Sequence, residues 1–506
     1  MKLYKFIFMV SALILFVSFT YSPGTASEGG GTAAEEAEVI EYFTSEPNIR
    51  VGLIFGSGAR TSFQTMSENG FILGEVRAGE PDVFYAQNYI SNKKIAVIGS
   101  SSGLAVINPD SGTVLRQYAQ SGNNLAIIAA KSPEFPLKMT ELSSRTTGVT
   151  VSPANNSYTG AFIYRAGSRG IEVINLVVLD DYIKGVVPYE VSPAWEPEAL
   201  SAFAITARSY AVNSILRNRH AAEGFAICND VHCQLFIGAA RATDKTNAAV
   251  DDTRALVLTY EGRVIEAVYH SSSGGATENH NDAWGGEFRY PYLAGVKLPF
   301  ENYADPSRNN ALWTNTVSPR ELYDFLVNTS IYSSDFRGRL NSPVANITID
   351  QRSDSNYIKK LTVTDSNGNR VSVEDSDRIR RTFNRYANSA NMDIFRPNRL
   401  RAVTATASAP AAEQDIEAGR TYIMTANGLT RAVPDRMVVM SADGVNTTQA
   451  YWTGIDFVFD GRGWGHGVGM SQWAAQDMAL LGYGYEDIVK TFYTGVVISD
   501  LTDVAK

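Results

Sequence analysis

From Ile49 to about Ala166 short apolar runs (IRVGLIF, KIAVIG, LAVIN, NLAIIAA) recur between clusters of Gly, Asn, Asp and Ser, the pattern of short strands joined by tight turns. It predicts a β-rich region over 49–166, and IEVINLVVL just beyond is a further strand candidate. The period then changes. Pro197 suits the first turn of a helix reaching about Leu216, with Leu200, Ala204, Ala207 and Ala211 along one stripe, so this helix packs closely against its neighbours. A hairpin is expected through Glu261-Gly262, a helix over 312–330, and in VANITID and IKKLTVTDSNGNRVSV strands joined by an Asn-Gly turn. Residues 402–418 are rich in Ala, Pro and Thr and read as an insertion or linker. A strand-like FVFD feeds GRGWGHGVGMSQ (461–472), and SQWAAQDMALL continues as a helix with Ser471 as its cap. The expected class is α+β, with mixed strands and helices, a long central helix and Gly-rich cleft loops, preceded by the β-rich N-terminal region.

The 506 residues allow two or three domains. Lys2 and Lys5 precede an apolar run from Phe6 to about Phe19, followed by small residues, so residues 1–26 read as a secretory signal peptide or an uncleaved membrane anchor. Either way the protein is exported. Residues 27–48 (SEGGGTAAEEAEVI and its continuation) read as a linker. A net charge of -9 excludes nucleic acid as the expected partner and means that an anionic polymer must be recognised by a local site. The two cysteines, Cys228 and Cys233, have His232 between them and His220 upstream. In an exported chain such a pair suits a disulfide, a tetrahedral zinc site or two unpaired buried thiols, and spacing alone does not separate these.

Five glycines alternate with Arg462, Trp464 and His466 in the 461–472 stretch, which lets another surface approach the backbone closely. A dinucleotide loop is not met, because the third glycine of G-x-G-x-x-G is absent, and neither G-x-S-x-G nor H-E-x-x-H occurs. His270 and the serines at 271–273 offer an imidazole and hydroxyls, but adjacent residues on a strand face opposite ways, so sequence neighbourhood alone does not bring them together as a nucleophilic pair. The best candidate acid is Glu190, in the apolar loop VVPYEVSPAW, whose surroundings would raise its pKa toward that of a proton donor. The two Gly-rich loops add flat faces for sugar rings in Trp284, Tyr290, Trp464 and Trp473, beside polar Asn279, Asn281, His466 and Gln472. A second carboxylate for ordinary glycoside hydrolysis would be Glu278 or Asp282.

VVPYEVSPAWEPEALSAFAITARSYA, HSSSGGATEN with PYLAGV, and GRGWGHGVGMSQWAAQDMA resemble, in order, the motifs of the stage II sporulation protein D and amidase enhancer (SpoIID/LytB) family. The resemblance implies that 167–500 is the catalytic domain, with an insertion near 402–418. It implies a peptidoglycan lytic transglycosylase that cleaves the MurNAc–GlcNAc bond to give 1,6-anhydro ends, needing no cofactor for the chemistry. Glu190 would be its acid/base. The substrate-binding set would be Tyr189 beside that Glu; His270, Ser272, Gly274 and Gly275; Trp284; and Trp464, His466, Met470, Ser471 and Gln472. A structural zinc, as in some sporulation members, would be held by His220, Cys228 and Cys233. The partners implied are wall glycan strands and, in the branch named for enhancement, a wall amidase whose stimulation would replace catalysis. Tyr189, Val191, Ser201 and Phe203 depart from the usual pattern, which bears on substrate detail more than on catalysis.

Overall fold

A computed structural model describes residues 47–504 apart from 77–83, 101–102, 120–123, 130–136, 142–155, 168, 287–289, 303–304, 306–310, 396–398, 407–408, 418–421, 426–427, 432–437, 442–443, 448 and 453–455. The expected signal or anchor and nearly all of the expected linker lie outside the described residues. Among the described residues no helix is long and apolar enough to cross a membrane.

The β-rich region forms two sheets around one buried core that includes Val51, Phe63, Val97, Ile127 and Val173. The first has seven strands in the order Ile227–Cys228, Asn48–Ile54, Gly170–Val178, Ala161–Gly167, Asn124–Ala129, Phe71–Val76, Phe84–Ile90. The second has six, in the order Ser157–Tyr158, Leu137–Glu141, Ser62–Met66, Lys94–Ser100, Gly103–Ile107, Val114–Ala119. The domain boundary expected at 166–167 falls at the turn of the hairpin that pairs Ala161–Gly167 with Gly170–Val178.

Helix α1 (Leu179–Glu190) follows that last strand directly, and α2 (Pro197–Arg217) is the long central helix. Pro197 stands in its first turn, as its fixed φ favours, and Asn218 closes it in a left-handed conformation. Its buried residues from Ala199 to Ser214 are spread all round, the pattern of a helix packed on every side rather than along one stripe. It touches α1, α3 (Asp244–Asp252) and strand Leu256–Tyr260 as well as two helices near the C-terminus. The fully buried Arg208 is neutralised by Asp180 at 2.7 Å and donates to the carbonyls of Leu256 and Val250.

A second core includes Val317, Leu322, Phe325, Leu361, Phe383 and Phe459. After the short α4 (His280–Trp284), the helix expected over 312–330 divides. Leu312–Val317 is a strand, and only α5 (Pro319–Asn328) is helical, because Ser318 with Glu321 forms a capping box that fixes the start at Pro319. Then come α6 (Ser333–Phe336), the three-stranded sheet Val344–Arg352, Ile358–Asp365 and Arg370–Glu374, and α7 (Ser376–Thr382). The segment expected as insertion or linker pairs Arg399–Thr406 antiparallel with Ala409–Glu417. Strand Phe457–Arg462 leads into the Gly-rich loop, α8 (Gln472–Leu480) and α9 (Tyr485–Phe492).

Candidate active site

Glu190 stands at the last position of α1, where the sequence reading has a loop. Pro193 explains why the helix goes no further: the residue before a proline is pushed out of helical backbone, so Ser192 cannot continue the helix that ends at Glu190. The carboxyl therefore sits at the negative end of a helix dipole, and burial raises its pKa above the ordinary 4.5. The Leu235 N–H (2.9 Å), the Tyr269 hydroxyl and the Gln472 side chain donate to it and pull partly the other way. Gln234 fixes Tyr269 and Tyr182 by hydrogen bonds of 3.3 and 3.1 Å.

The two Gly-rich loops meet across the cleft. Tyr269 and His270 pair in parallel with Met470 and Ser471, and Ser272 exchanges backbone hydrogen bonds with Trp464. Glycine is required where these backbones touch: Gly469 has φ +72, and a Cβ there would lie 2.0 Å from the Val268 carbonyl. Buried Glu301 ties the junction. It accepts from the hydroxyls of Ser272 (2.8 Å), Ser273 and Ser471 (3.0 Å) and from the N–H groups of Ser273 and Gly275. Ser471 also caps α8 through the Ala474 N–H.

Glu190, Tyr269, His270, Trp284, Trp464, His466 and Gln472 all line one cleft of about 580 Å³. Trp284 and Trp464 are 38% and 42% exposed there, as an aromatic platform must be to receive a ring. Trp284 is held by its Nε1–H to Asp377 (3.1 Å), which also grips Arg380, another cleft residue. The His270 Nδ1–H points at the Val468 carbonyl (3.1 Å), and the His466 Nδ1 accepts from the Val468 N–H (3.0 Å). Burial pushes His270 down to about 4 and His466 to about 3, so both are neutral. Ser272, Met470 and Ser471 are buried behind the surface, and Gly274 and Gly275 turn the loop around Glu301. Tyr189 faces elsewhere: its hydroxyl is 3.5 Å from the Ile237 carbonyl and Arg241 lies 4.9 Å over its ring. Trp473 packs at a tilt against Trp195 and is not among the residues that line the cleft.

The other carboxyl on the cleft is Glu266, which Arg217 and Arg219 grip at 2.8 and 2.7 Å. Glu278 and Asp282 are not among the lining residues; Glu278 accepts from Ser353 and Asp282 pairs with Lys359. At the rim, His220, Cys228, His232 and Cys233 bring their ligand atoms within 4.8 Å of one another. Both cysteines are free thiols, so the expected alternative of a disulfide is not formed. The hydrogen bond from the Cys228 thiol and those from both imidazoles hold Cys233 far below the usual thiol range, at about 4. Sequence reasoning missed Glu301, Tyr269, Arg380 and the Leu235 N–H. None stands in a pattern of its own, and only the fold aims them.

Residues 167–260 match the sequence model of the family described as stage II sporulation protein (SpoIID). Over 350 residues it is 27% identical to an uncharacterized protein of Brachyspira hyodysenteriae, covering 69% of this chain and 74% of that one. It is 28% identical over 325 residues to the amidase enhancer of Bacillus subtilis, covering 63% of this chain but only 40% of that protein. With the stage II sporulation protein D of Bacillus subtilis it shares 25% identity over 353 residues, 67% of this chain and 78% of that one.

Proposed function

We propose that the protein is an exported peptidoglycan lytic transglycosylase in which Glu190 is both acid and base. The observation that carries this reading is a buried carboxyl with no cationic partner among the described residues, lining a cleft that also holds Tyr269, Trp284 and Trp464. Protonated Glu190 donates to the glycosidic oxygen as the bond to muramic acid breaks. The resulting carboxylate then takes the proton of the muramic 6-hydroxyl, whose oxygen closes on the anomeric carbon to leave a 1,6-anhydro end. No water enters, so no second carboxylate is needed to activate one. Glu266, neutralised by its two arginines, is poorly suited to that task. Trp284 and Trp464 hold sugar faces and Gln472 orients Glu190.

The thiol and imidazole donors at the cleft rim are a fit for zinc, with His232 completing a four-donor set beyond the three residues expected from sequence. The ion would cross-link the chain after α2, next to Leu235, whose N–H meets Glu190.

Purified glycan strands incubated with the protein and resolved by mass spectrometry test the reading. Anhydro ends are expected. Reducing ends would reveal hydrolysis, and intact strands that are lost only when a wall amidase is added would make the protein an enhancer, as the name of one relative suggests.

A further inference from the structure

The β-rich region carries a second hollow, of about 280 Å³, at the corner where the outermost strands of its two sheets end. One side is strand Phe84–Ile90 with its following turn, which supplies Asn88, Tyr89 and Asn92; the other is strand Val114–Ala119, which supplies Leu115 and Arg116. Both edge strands break register at this corner. Leu73 pairs with Asn88 but Gly74 with Ala86, which leaves Gln87 as the extra residue. Likewise Val106 pairs with Arg116 but Ile107 with Val114, which leaves Leu115. A bulge bends its strand and re-aims the neighbouring side chains, and two that converge on one hollow build a site rather than a plain edge. Such edges also resist the addition of a further strand, so the hollow suits a compact ligand, not an extended peptide.

Its chemistry is that of a sugar subsite. Tyr89 is 64% exposed, with its hydroxyl end over Gly70, where a Cβ would come within 3.4 Å, so the ring offers a bare face. Beside it Asn88 lines the hollow with its Oδ1 buried and unpartnered, so turning that amide toward a ligand hydroxyl or N–H breaks no hydrogen bond at the oxygen. The exposed Arg116 and the Asn92 amide add donors, and Ile90 and Leu115 an apolar shoulder. We infer that this corner binds an N-acetylated hexosamine of a glycan strand, as a docking subsite separate from the cleavage cleft. The two share no residue. Strand Phe84–Ile90 and strand Ile227–Cys228, which carries the rim cysteine, are the opposite edges of the seven-stranded sheet. Six strand spacings separate them by roughly 29 Å, far enough for one strand to be held while a distant linkage is presented for cutting.

The test is calorimetric titration of the full chain carrying Glu190→Gln with the N-acetylglucosamine tetramer. Two binding events are expected. Tyr89→Ala and Arg116→Ala should each weaken one of them at least tenfold, Tyr89→Phe should preserve it, and Trp464→Ala should weaken only the other. If Tyr89→Ala and Arg116→Ala, shown by circular dichroism to be folded, leave number and affinity of sites unchanged, the subsite does not exist. Failure of the cleavage reading looks different: the Tyr89-dependent event persists while no Trp464-dependent one is seen.

Discussion

The two walls of the cleft treat a buried carboxyl in opposite ways. On the helical wall Glu190 ends α1 and receives one main-chain N–H and two side-chain donors. On the glycine-loop wall Glu301 receives five donors from two stretches of chain, 272–275 and Ser471, and does not line the cleft. A carboxylate saturated by donors is a fastener, whereas a sparsely bonded one kept from water is ready to exchange a proton. Burial of a charge does not by itself mark chemistry; the number of donors around it separates the two roles.

The largest effect should come from Glu190→Gln, which keeps the shape but cannot donate a proton: glycan cleavage falls by roughly 10³-fold or more, read as anhydro-ended product per unit time, with an unchanged circular dichroism spectrum. Residual cleavage near the parent rate would reverse the assigned roles. Glu301→Ala should do the converse. It strands buried donors and lowers stability in urea by about 3–5 kcal/mol, and cleavage is lost only because the loops no longer meet. Removal of metal by a chelator should lower the melting temperature by an amount worth about 3 kcal/mol, restored by zinc; an unshifted transition rejects the metal.

The smallest effect concerns Glu278, fully buried between the Gly467 carbonyl and Ser353, which burial pushes from the ordinary 4.5 up to about 7. A raised native pKa favours the protonated fold, so its contribution is whole at acid pH and is lost as pH rises from about 4.5 through 7, by on the order of 2 kcal/mol. Melting curves from pH 5 to 8 should show the decline in the parent chain, and Glu278→Gln should flatten it.

Much of this was legible in sequence where one stretch carries its own signal. Pro197 and the alanine stripe gave the central helix, the short apolar runs gave the sheets, and the apolar neighbours of Glu190 gave its raised pKa. What was not legible depends on partners distant in the chain. Glu301 has meaning only because Ser272 and Ser471 converge on it, and the split at Ser318 was hidden because a capping box interrupts a run whose composition suits either element. His232 was legible as an imidazole between the cysteines, but which of the two histidines faces the thiols is set by the fold, which brings both within 4.8 Å of them.

The parallel pairing of Tyr269–His270 with Met470–Ser471 joins segments about two hundred residues apart. Its consequence is temporal. As the polypeptide emerges N-terminus first, the sheets of the leading half can assemble early, but the cleft stays in pieces until residues 470–471 have been delivered. A chain interrupted or clipped ahead of residue 470 would therefore lack the strand pairing that joins the two loops, and the cleft between them would not be assembled.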